Sequence, residues 1–241
     1  SLAIAVFPAF TESLARNDKS DFKITFSLNL RRLLFLIIPI SVFMLLLRAQ
    51  IVRVILGFGN FDWSDTYYTA QTLGWFVVSL FAQSLIPMLA RSFYALEDTK
   101  TPVYIGLGAI TLNIVGSLYL GKLYGVEGLA MAFSFAAIVN MLGLLFVLRF
   151  RMGNLDDKKI VNSLVLTSIN SVLAGTVVYG CLQIMADLVN MRTFIGVFTQ
   201  GLVAGLAGII IYIILSVITS CEEVVIVKRF MMKYLKPLVK K

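Results

Sequence analysis

Four stretches of this chain, at 103–121, 128–148, 160–186 and 193–221, contain no Asp, Glu, Lys or Arg. A helix needs about 20 predominantly apolar residues to cross the hydrocarbon core of a bilayer. Each stretch therefore reads as a membrane-spanning helix. A fifth span reads at 69–90, with Pro87 inside it. A sixth has a short core at 33–47, with Pro39 inside, and extends through 26–30 and 51–55 if the helix tilts. Proline within a membrane helix is tolerated and marks a kink or a hinge. The chain opens at Ser1 in an apolar run that ends near Thr11, with no basic leader before it. We expect that run to be a truncated span rather than a signal peptide. The expected fold class is all-α and integral to a membrane: a polytopic helical bundle of six full spans and one partial N-terminal span.

Composition agrees. Hydrophobic residues make up 59% of the chain and charged residues 14%, against roughly 45–50% and 25% in soluble domains. The net charge is +8, but the basic residues flank apolar runs. Their expected partner is anionic lipid headgroup, not nucleic acid. Seventeen of the 21 Lys and Arg residues fall in one set of alternate loops, which includes Arg31, Arg32, Arg91, Lys100, Lys158 and the tail. Arg48, Arg53, Lys122 and Arg192 make up the other set. Basic loops stay in the cytoplasm, so the C-terminus is expected there.

The chemistry of catalysis is sparse. The chain has no histidine, and its 13 carboxylates sit at span ends or in loops. No two of them form an acid–base pair within a span. Cys181 and Cys221 lie in or beside apolar runs and match no metal or redox motif. We expect no enzyme activity, no cofactor and no metal. Polar residues inside spans are more informative. Asn113 and Ser117 are four apart, so they share a helix face. Ser134 and Asn140 lie in the next span, and Gln83, Asn170 and Gln200 in others. An amide in hydrocarbon needs a partner. Two readings stand: hydrogen bonds between helices, or a polar cavity or weak cation site formed by Asn113, Ser117, Ser134 and Asn140.

The last two full spans carry no charge but several glycines, among them Gly175, Gly180, Gly201, Gly205 and Gly208. Gly201 and Gly205 form a GxxxG, which favours close helix packing; a lipid chain could also approach there. In the inner loop before the 103–121 span, Asp98 and Thr99 are placed to cap a helix that opens near Pro102. Gly57 and Gly59 suit a tight outer turn with positive φ. From Val224 to Lys241, Arg229, Lys233, Lys236 and Lys240 fall on one helical face, opposite Val227, Phe230, Met231, Tyr234 and Leu238. That pattern describes an amphipathic helix on an anionic leaflet.

Several motifs together resemble one family. They are AVFPAF around Pro8, LNLRRLLFLIIP with Arg31, Arg32 and Pro39, and the outer loop ILGFGNFDWSDTYYTAQTL from Ile55. The inner loop RSFYALEDTKTP follows, with Phe93, Tyr94, Asp98, Thr99, Lys100 and Pro102, and then GVEGLAMAFS from Gly125. Their order is similar to the second half of MurJ-type (MviN) lipid II flippases, members of the multidrug/oligosaccharidyl-lipid/polysaccharide exporter superfamily. The resemblance is clearest from Ser1 to about Arg151. It implies a C-terminal transport lobe over 1–151 with its first helix truncated, two additional transmembrane helices over 152–222, and a basic amphipathic cytoplasmic tail over 223–241. It implies alternating access in the bacterial cytoplasmic membrane, with an undecaprenyl-pyrophosphate-linked substrate. It also implies a groove for the polyprenyl tail at the last two spans, with Gly175, Gly201 and Gly205 as candidates. The partner lobe would be the N-terminal half of the same protein. The family's cavity arginines fall upstream of Ser1, so no headgroup-binding residue is assigned. A related precursor flippase, a multidrug or cation antiporter, and a non-transporting membrane scaffold are the alternatives.

Overall fold

The structure, a computed structural model, describes residues 10–12, 19–57, 59, 61–191 and 193–224. The basic tail beyond residue 224 and most of the opening apolar run lie outside the described residues. The described residues form helices and no strand. In chain order they are α1 (Lys19–Leu46), α2 (Arg48–Leu56), α3 (Trp63–Val78), α4 (Leu80–Ala95), α5 (Lys100–Tyr124), α6 (Val126–Met152), α7 (Asp157–Leu188) and α8 (Phe194–Ile218). Six helical segments are long and apolar enough to cross a membrane, with α3 and α4 counted as one. Successive spans alternate direction. One end of the bundle gathers the starts of α1, α5 and α7 and the ends of α4, α6 and α8. It is called the basic end below.

The span with the shortest apolar core becomes one of the longest helices. α1 has 28 residues, about 42 Å at 1.5 Å per residue. Pro39 sits inside it and has no N–H to offer the carbonyl of Phe35. The Tyr212 hydroxyl of α8 donates to that carbonyl at 2.7 Å. The next break was not expected. The uncharged 69–90 run parts at Ser79, which closes α3 and opens α4. Its N–H turns back to Phe76 and Val77, leaving the Trp75 carbonyl to accept from the Ser134 hydroxyl of α6 at 2.6 Å.

Two apolar cores flank α1. On one side Phe22, Phe26, Leu30 and Leu34 pack with Met88, Leu89 and Phe93 of α4 and Leu144 and Leu148 of α6. On the other, Phe35 and Phe43 pack with Ala174, Val178 and Leu182 of α7 and Ala204 and Tyr212 of α8. α5 lies outermost and pairs with α6, where an added Cβ at Gly116 would stand 3.1 Å from the Ala132 Cβ. Its exposed Tyr104 near one end and Tyr119 and Tyr124 near the other suit the two membrane–water interfaces.

Two local expectations need correction. Gly59 has φ +63°, but Gly57 has φ −73° and ends α2. Gly57 is needed for space instead, because a Cβ there would strike the Arg53 carbonyl. Asp98 alone caps α5: its Oδ1 accepts from the Lys100 and Thr101 amides at 3.0 Å each. The Thr99 side chain makes no capping bond, and α5 opens at Lys100, two residues before Pro102.

Candidate functional site

At the basic end, the loop between α4 and α5 is clasped to the end of α6. Asp98 Oδ2 accepts from the Thr101 hydroxyl at 2.6 Å and faces Arg151 at 2.5 Å. The Arg151 guanidinium also lies 5.8 Å from the centre of the Phe93 ring, within cation–π range. Hydrogen bonds from Thr101, and then the Arg151 charge, hold the Asp98 carboxyl below the ordinary carboxylate range. Of the motif residues, Phe93 is buried, Asp98 is the hub, and Tyr94, Thr99 and Lys100 are exposed. Pro102 lies in the first turn of α5, where a missing N–H breaks no helical bond.

The in-span polar residues separate into two places. Asn113 of α5, Asn140 of α6 and Gln83 of α4 line one cavity of about 330 Å³ with Pro87, Gly106 and Phe133. Asn140 Oδ1 is buried there without a hydrogen-bond partner. Ser117 donates to Asn113 Oδ1 along α5 at 3.2 Å. Ser134 faces elsewhere, bonded to Ser79 at 3.0 Å and to the Trp75 carbonyl. The lining of this cavity is neutral amide and apolar, with no carboxylate.

A second, apolar cavity of about 250 Å³ opens between α2 and α8, lined by Leu47, Ile51, Val54, Phe198, Gly201 and Leu202 among others. A Cβ added at Gly201 would stand 3.3 Å from Gln50, one at Gly205 3.6 Å from Leu47, and one at Gly175 3.0 Å from Val42 of α1. These three candidate glycines thus look onto α1 and α2. Gly208 is the contact between α7 and α8, against Val178.

One polar cluster was not foreseen. Arg31 reaches Glu222 Oε2 at 2.7 Å and Glu223 Oε1 at 3.0 Å, and Ser163 donates to Glu223 at 3.0 Å. Arg31 and Glu223 are 7% and 5% exposed, so this is a buried ion pair. The available signal was on α1: Ser27, Arg31 and Phe35 recur every four residues, on the face that becomes buried.

The model of the family described as "Lipid II flippase MurJ" matches residues 1–199. A protein of Thermotoga maritima described as a probable lipid II flippase MurJ is 30% identical over 227 residues, 92% of this chain and 44% of that protein. A probable lipid II flippase MurJ of Bdellovibrio bacteriovorus is 25% identical, over 95% of this chain and 43% of that protein. A solved structure described as lipid II flippase MurJ in an inward closed conformation superposes with a TM-score of 0.73 at 26% identity, covering 91% of this chain and 42% of that one. The chain thus spans less than half the length of these relatives. With a family match that runs from residue 1 into α8, and a shared arrangement of spans, the chain belongs to the lipid II flippase MurJ family.

Proposed function

We infer that this chain forms one lobe, with α7 and α8 attached, of a flippase that moves lipid II across the bacterial cytoplasmic membrane by alternating access. The activity is translocation, not bond chemistry. The observation that supports it most is the fold shared with a MurJ structure over 91% of the chain. The substrate is an undecaprenyl-pyrophosphate-linked precursor, and a partner lobe supplies the arginines that meet its pyrophosphate. The apolar cavity between α2 and α8 is suited to part of the polyprenyl chain, since its lining is almost wholly hydrocarbon. The amide cavity among α4, α5 and α6 has neutral oxygens but no carboxylate, which makes it a weak cation site at most. The basic end faces the cytoplasm by the distribution of Lys and Arg, and anionic lipid headgroups are the partner of its basic residues.

The test is complementation. The gene that encodes this chain is expressed in a bacterium depleted of its own lipid II flippase, and lipid II translocation is measured alongside growth. Restored growth with restored translocation is expected. A protein that inserts and moves a capsule or O-antigen precursor, but not lipid II, would transfer the reading to the related exporters.

A further inference from the structure

Three polar contacts at three depths tie α1 and α2 to the α7–α8 hairpin. At the basic end, Arg31 of α1 meets Glu222 and Glu223, which follow α8, and Glu223 also accepts from Ser163 of α7. Midway, Tyr212 of α8 donates to the Phe35 carbonyl of α1. At the far end, Gln50 of α2 donates to Gln200 of α8 at 3.0 Å, and Gln200 donates to the Leu182 carbonyl of α7 at 2.8 Å. Between these contacts the surfaces are closed: a Cβ added at Gly175 would stand 3.0 Å from Val42, and one added at Gly208 would stand 3.3 Å from the Phe43 ring.

The contact at the basic end differs in kind from the other two. Its guanidinium and one carboxylate are buried, and the Arg31 Nε has no acceptor. Separating such a pair leaves each charge stranded in a poor solvent. A buried ion pair therefore resists sliding more than an apolar contact does. The backbone is preset for it. Ser220 has φ +51°, in the left-handed region that a non-glycine residue seldom adopts. The turn delivers two consecutive carboxylates onto one arginine, with the Glu222 side chain 70% exposed and that of Glu223 3% exposed.

We propose that Arg31, Glu222 and Glu223 form a latch that holds the foot of α8 on α1, so that α1, α7 and α8 move as one rigid body during transport. The word transport rests on the flippase reading; the latch itself does not. With Gln50 of α2 also held on Gln200 of α8, its consequence is that the apolar cavity between α2 and α8 keeps fixed walls while access changes at other surfaces of the lobe.

The test uses the full protein in lipid nanodiscs, with Cys181 and Cys221 changed to serine. Spin labels are placed at the exposed positions Ile24 of α1 and Ile218 of α8. Pulsed dipolar spectroscopy then measures their separation with and without lipid II. The wild type is expected to give one narrow distribution in both conditions. Glu223→Gln should broaden it and lengthen its mean by roughly 5 Å, about one helical turn. Glu222→Gln, which alters only the exposed half, should broaden it less and keep the fold, and it decides alone if Glu223→Gln does not assemble. A wild-type distribution that shifts with lipid II overturns the rigid body. Distributions that stay narrow in the assembled variants overturn the latch. Translocation measured on the same wild-type protein tests the flippase reading separately, because the distances without lipid II do not depend on it.

Discussion

The Tyr212 hydroxyl donates to the carbonyl of Phe35 at 2.7 Å, and Phe35 is four residues before Pro39. In an unbroken helix the N–H of residue 39 would fill that carbonyl. Proline has none, so a side chain from another span does the work. Tyr212→Phe should leave the carbonyl unpaired in the bundle and cost about 1–3 kcal/mol. Pro39→Ala should return an intrahelical donor and remove most of that loss in the double variant. Thermal unfolding in detergent of the two single variants and the double one measures the coupling. Additive losses would show that the Tyr212 hydroxyl does not act through the carbonyl that Pro39 frees.

The Ser79 break makes a parallel case. Ser134 fills the Trp75 carbonyl at 2.6 Å and also bonds Ser79. Ser134→Ala should destabilise by about 1–3 kcal/mol, while Ser134→Thr, which keeps the hydroxyl, should cost less. Equal melting temperatures for wild type and Ser134→Ala would mean that water replaces the hydroxyl.

These two contacts mark where the sequence stops being informative. The spans were legible because a 20-residue apolar run has few alternatives in water. Pro39 announced a freed carbonyl, but nothing near it named Tyr212 as the donor. At Ser79 there was no local mark at all: the 69–90 run has neither Gly nor Pro at the break, and the support comes from α6. Glu223 carried no sign of its burial. Beside Glu222 at the end of an apolar run it reads as a solvated terminus, and only Arg31, 192 residues away, makes its burial possible. Among the amides, Asn113 and Asn140 lie in consecutive spans, and the hairpin of α5 and α6 brings both to one cavity. Ser134, six residues before Asn140, points to another neighbour because the phase of α6 turns it away.

The clasp at Asp98 predicts a pH dependence. Its folded pKa lies below the ordinary Asp value, with Thr101 hydrogen bonds the first cause and Arg151 a further one. A depressed carboxyl pKa adds stability above the unfolded value and loses it as pH falls through the folded value. The gap in melting temperature between wild type and Asp98→Asn should stay constant at neutral pH. It should narrow as pH falls below about 5, through the ordinary carboxylate range and on toward the lower folded value. A gap that already closes between neutral pH and 5 would assign the effect to another group.

Orientation can be read with single cysteines in a background lacking Cys181 and Cys221. Lys158, at the start of α7, and Ser64, at the start of α3, are both exposed and lie at opposite ends of the bundle. An impermeant maleimide added to intact cells should label a cysteine at 64 and reach one at 158 only after lysis. The reverse pattern would invert the topology and set the charge distribution against its usual rule.

The last prediction separates a lipid groove from helix packing. Leu202 lines the apolar cavity between α2 and α8 and is 48% exposed, so a larger side chain there can enter the cavity without displacing backbone. Gly208 is the opposite case: an added Cβ would strike Val178 and stand 3.3 Å from Phe43. Gly208→Trp should therefore overpack the α1–α7–α8 core and destabilise by about 1–3 kcal/mol or more, and its activity would fall with its fold. Leu202→Trp should keep the melting temperature and lower translocation about tenfold, equivalent to ~1.4 kcal/mol of lost binding, because the polyprenyl chain loses its place. Leu202→Ala should keep both stability and activity. The measurement is lipid II translocation in proteoliposomes, paired with unfolding temperature for each variant. A stable Leu202→Trp protein with full activity would empty this cavity of any part in holding the lipid. The candidate groove would then have to lie on another face of α7 or α8, since the stable fold of that variant removes packing as the reason for its behaviour.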